Sequence, residues 1–197
     1  MNKQDRLFLE SLNPCKKGMA EMSKAETLQH AWLTCQRSDW MLWALRNIGY
    51  TDERTLRLYA CACVRGTPLA DGRTVWDLLT DARSKTAVEV AERFARGDAT
   101  GQERHAAAAV FAAAYAAYVA ADAAAGAAYA AADAAYAAYV AAAADDAAGA
   151  AYAAAYATYV AAADAGLKAQ SWQADLLRQS ISWEEVQKAI EEYRRSQ

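Results

Sequence analysis

Between Ala106 and Ala165 lie sixty residues of which thirty-nine are Ala, interrupted mainly by Tyr, Val, Asp and Gly and by no Lys or Arg. Ala has the highest helix propensity and loses no side-chain entropy on ordering, so such a stretch is helical with little tertiary help. Its small side chains let helix axes approach closely, and Tyr can lie across the seam with its hydroxyl at the rim. The stretch reads first as a scaffold.

An internal repeat runs through it. Ala114-Tyr-Ala-Ala-Tyr-Val119 recurs as Ala135-Tyr-Ala-Ala-Tyr-Val140 and as Ala155-Tyr-Ala-Thr-Tyr-Val160, at offsets of 21 and 20 residues, and Gly126-Ala-Ala-Tyr129 recurs as Gly149-Ala-Ala-Tyr152. The period fits a helical repeat, and slippage in a repetitive gene would leave the same trace. At about 100° per residue, Tyr115, Tyr118, Tyr129, Tyr136 and Tyr139 share one sector of roughly 120°, while Tyr152, Tyr156 and Tyr159 fall on nearly the opposite side. The phase changes at Asp145-Asp-Ala-Ala-Gly149, where a break predicts two or three packed helices in place of one rod.

The remainder supplies the driving force for folding, because Ala buries little area and six Trp with the Leu, Ile and Val must carry the core. Leu7, Phe8, Leu9 and Leu12 form a brief helix ended by Asn13-Pro14. Ser23-Lys-Ala-Glu26 is a capping box that predicts a helix over about 24–35, and Ser38-Asp39 caps the next, over about 39–48, which closes at Gly49. Trp40 and Trp43 are expected in the core.

A helix from Thr51 carries Leu56, Ala60, Cys63 and Val64 on one stripe up to Gly66-Thr-Pro68. A short one within 69–80 follows, then one from Ser84 with Ala87, Val88, Ala91 and Phe94 inward, closing at Gly97. Glu89, Glu92 and Arg96 read as surface pairs within that helix. Thr100-Gly-Gln-Glu103 and Ser182-Trp-Glu-Glu185 are further capping boxes, and Trp183, Val186, Ile190 and Tyr193 stripe the last helix. The expectation is an all-α, multi-helix bundle with an Ala/Tyr-rich repeated helical segment. Residues 1–197 form one helical domain: N-terminal helices over 1–104, the repeat over 105–166, and C-terminal helices over 167–197 packed on the N-terminal part.

Charge is unevenly placed. Asp122, Asp133, Asp145, Asp146 and Asp164 contribute −5 to a net charge of −3, which leaves the rest of the chain at +2. Neither part is basic enough to predict nucleic-acid binding, and five Asp along up to about 90 Å of helix are too sparse to imitate DNA phosphates. No apolar run of roughly 7–15 residues follows the charged N-terminus, and the uncharged run from Ala106 stops at Asp122, short of the ~20 residues of a membrane span. Cys15, Cys35, Cys61 and Cys63 show no paired spacing and read as reduced thiols, so the expected location is the cytoplasm, with no membrane association.

Chemistry is sparse as well. His30 and His105 are the two histidines, and no metal-binding, phosphate-cradling or nucleophile motif accompanies them, so no cofactor, metal or catalytic residue is expected. Cys61 and Cys63 point some 200° apart on a helix, which predicts one buried and one partly buried thiol.

Four segments carry a resemblance: Cys35-Gln-Arg-Ser-Asp39-Trp40-Met-Leu-Trp43, Arg57-Leu-Tyr-Ala-Cys61-Ala-Cys63-Val-Arg65, Ala87-Val-Glu-Val-Ala-Glu92-Arg93-Phe-Ala-Arg96-Gly97-Asp-Ala-Thr100 and Gln173-Ala-Asp175-Leu-Leu-Arg178. In this order they resemble a family of immunity proteins, helical bacterial and phage proteins with an Ala- and Tyr-rich centre. The resemblance implies a non-enzymatic inhibitor that binds a protein, either a toxin in an immunity pair or a host defence component met by a phage inhibitor. The alternative is a structural module that self-associates into a homo-oligomer through its Ala-rich helices. The acidic, Arg-free scaffold suits a basic patch on a partner, with Asp122, Asp133, Asp145, Asp146, Tyr129 and Tyr152 as candidate contacts.

Overall fold

Asn2, Cys15, Thr27, Asp52, Asp81 and Ser182 each stand immediately before a helix, and each side chain accepts a hydrogen bond from an amide of the first turn. Such caps satisfy donors that have no partner within the helix, and they set where each helix starts. The computed structural model describes residues 1–107, Ala151, Ala153, Ala155 and 167–197. Its helices are α1 (Lys3–Ser11), α2 (Lys16–Met22), α3 (Leu28–Thr34), α4 (Ser38–Asn47), α5 (Glu53–Gly66), α6 (Val75–Leu78), α7 (Ala82–Arg96), α8 (Leu167–Ser180) and α9 (Trp183–Ser196). Residues 101–107 and the three described alanines are also helical. The fold is all-α, and among the described residues the one strand-like pairing is an isolated bridge between Pro68 and Thr74. The repeat, its break near Asp145–Gly149 and the two tyrosine sectors lie outside the described residues.

Helix α5 is the axis of the described core. Leu56, Tyr59, Ala60, Cys61, Cys63 and Val64 are all essentially inaccessible. On one side lies α7, which offers the small residues Ala87 and Ala91 beside Val88, all fully buried, and α6 and α8 cover other faces. Because the helix is covered on several sides, Cys61 and Cys63 are both buried, in place of the one buried and one partly buried thiol expected. Cys61 Sγ lies 3.9 Å from the Val88 carbonyl. Glu92 does not pair along its own helix as expected. It takes a two-bond contact from Arg65 on α5, at 2.5 and 3.0 Å, and so ties α5 to α7.

Two caps read from the sequence are used differently. Ser23 ends α2, its hydroxyl donating to the Ala20 carbonyl, and Thr27 caps α3 four residues later. The helix expected over 24–35 is therefore α3 alone, and α2 occupies residues expected to be connection. Ser38 is the first residue of α4 and not its cap, because its hydroxyl is drawn inward to Gln173 Oε1 at 2.9 Å. By contrast, the boxes Thr100/Glu103 and Ser182/Glu185 form as read, as do the closures at Gly49 and Gly97 with φ of 73° and 88°.

Gln173 is the polar centre of the interior. Fully buried on α8, it accepts from Ser38 on α4 and donates from Nε2 to Thr67 Oγ1 and to the Ala155 carbonyl, both at 3.1 Å. The Tyr59 hydroxyl donates to its backbone carbonyl at 3.3 Å. This cluster joins α4, α5, the turn after α5 and the Ala-rich segment at one point, with Ala151 and Ala155 buried against the core.

At the end of α5, a Cβ on Gly66 would lie 2.6 Å from Trp172 Cζ2 and Cη2. Gly66→Ala is expected to destabilise the protein by about 1–3 kcal/mol through overpacking, read from urea denaturation. An unchanged midpoint would show that the Trp172 ring swings aside without cost.

Candidate binding cleft

The residues that should seal one end of the molecule leave a space instead. Asn13, at φ 56°, lies between α1 and α2, and Cys15, the cap of α2, turns to one side with Gly18, Met19 and Met22 at helical spacing. Leu28, Ala31 and Trp32 from α3, Trp40, Trp43 and Ala44 from α4, and Trp183, Val186 and Ile190 from α9 face the same space. Together with Phe8 and Leu9 of α1 they enclose a partly open cleft of about 280 Å³. The α1 wall is fastened to α9 by an edge-on contact of Phe8 with Tyr193, and by Arg194, which stacks over Phe8 at 4.7 Å and reaches Asp5 at 3.6 Å.

The α3–α4 corner is held from behind. Arg178 on α8 donates to the Trp32 and Cys35 carbonyls at 3.2 and 2.7 Å, placing a cation at the C-terminal end of α3. Trp32 is nearly enclosed, whereas Trp40, Trp43 and Trp183 are half-buried. Trp40 and Trp43 are thus walls of the cleft and not the sealed core residues expected, because the helices opposite α4 do not close over them.

The electrostatics of the wall are quiet. Among the described residues of the wall Asp39 is the one charged side chain, and Arg37 holds both of its oxygens at 2.8 and 2.7 Å while stacking on Trp40 at 4.6 Å. The Cys35 thiol is pushed up from its ordinary pKa by burial and points to the Arg37 carbonyl at 3.4 Å. Cys15 is exposed, and its sulfur accepts from the Gly18 amide. The Asp39 carboxylate, the Cys35 thiol and the Cys15 sulfur are thus engaged with the protein itself.

A second, more open groove lies between α5, α7 and α8, floored by Trp172 and by the Arg65–Glu92 pair, which cancel one another's charge. Asp122, Asp133, Asp145, Asp146, Tyr129 and Tyr152 lie outside the described residues. Among the described residues no group of three or more His, Cys, Asp or Glu is placed to hold a metal ion, and no helix is long and apolar enough to cross a membrane. No family model matches the chain, nor does any curated protein or any solved structure.

Residues 35–43, 57–65, 87–100 and 173–178 meet in space. Ser38 and Cys35 contact Gln173 and Arg178, and Arg65 and Cys61 contact Glu92 and Val88. These contacts hold helix to helix, so the four segments speak to how the helices assemble. The cleft was missed in the sequence because the Trp, Met, Leu and Ile that line it are also ordinary core residue types. The available signal was the concentration of Trp and Met in α2, α3, α4 and α9, types that recur where surfaces adapt to partners.

Proposed function

We propose that this protein acts by binding, as a non-enzymatic inhibitor that occupies and blocks a partner protein, a toxin in an immunity pair or a host defence component met by a phage inhibitor. The observation that carries this reading is the open cleft lined by Trp32, Trp40, Trp43, Trp183, Met19, Met22 and Met41. Binding energy at protein interfaces concentrates in a few aromatic residues in desolvated pockets, and Met adapts to the shape it receives. The family resemblance points the same way, and the acidic Ala-rich stretch would speed encounter with a basic partner.

The test is affinity capture from a native host with the wild-type protein and with Ala44→Glu. Ala44 lines the cleft and is half-buried, so a carboxylate there reaches solvent without unfolding α4. The captured partner should bind the variant at least about 30-fold more weakly, the loss of a hot-spot contact. Equal affinity would remove the cleft from the interface, and a homo-oligomer that excludes any other protein would favour self-assembly.

A further inference from the structure

We draw no further inference here: the strongest candidate, the apolar cleft between α1–α4 and α9, belongs to the site already described, and nothing in the structure shows what covers it.

Discussion

Gln173→Leu is expected to destabilise the protein by about 3–5 kcal/mol, although the substitution conserves volume and adds apolar surface to a fully buried site. The cost comes from what the new side chain leaves behind. The Ser38 and Thr67 hydroxyls would lose their bonds to the amide in a region that water does not reach. Each buried group left without a partner costs about 1–3 kcal/mol, whereas removing both sides of a bond is far less harmful. Ser38→Ala and Thr67→Val added to Gln173→Leu should therefore recover part of the loss, read as a rise in the urea midpoint at constant slope. A Gln173→Leu variant within ~1 kcal/mol of wild type would show that the interior polar cluster does not hold the helices together.

Alkaline pH should unfold the protein well before its exposed groups would. Burial pushes the Cys61 and Cys63 thiols up to about 12, from an ordinary value of 9.0. Tyr59, fully enclosed beside Cys63, is raised as well, again chiefly by burial. Between pH 9 and about 12 the unfolded chain releases protons that the native state keeps, so the unfolded state binds fewer protons and stability falls as pH rises. Below pH 9 the thiols are protonated in both states and contribute no slope. At up to about 1.4 kcal/mol per pH unit for each thiol, the loss by pH 11 is on the order of 5 kcal/mol, a large part of the stability of an ordinary domain. Urea unfolding at pH 8, 9, 10 and 11 measures it, and Cys61→Ala/Cys63→Ala should flatten the curve. An unchanged slope in the double variant would mean that other groups carry the alkaline sensitivity. At pH 8 a thiol reagent should modify Cys15, the exposed cysteine, and reach the sealed Cys61 and Cys63 only after denaturation.

The helices were legible where local chemistry decides them. Thr100 with Glu103 and Ser182 with Glu185 close their boxes because both partners lie within one turn of each other. Gly49 and Gly97 end helices because the positive φ there costs a glycine little. Ser23 and Ser38 were misread for the opposite reason. Each has the composition of a cap, but Ser23 serves the helix before it, and Ser38 answers to Gln173, 135 residues away. Glu92 follows the same logic: neighbours along α7 offered it tenths of a kcal/mol, and a two-bond contact with Arg65 across the helix seam won.

By itself the sequence determined that the chain is all-α, where most helices begin and end, and which stripes of α5, α7 and α9 turn inward, since propensity, capping and periodicity act within a few residues. Only the tertiary structure decided that Cys61 and Cys63 are both sealed, that Gln173 joins four segments, and that Trp40, Trp43 and Trp183 line a space instead of filling one. Those outcomes depend on the distances between helices, which arise from the summed packing of residues far apart in the chain. A stripe of Trp and Met has the same pattern whether the helix facing it closes or stands away.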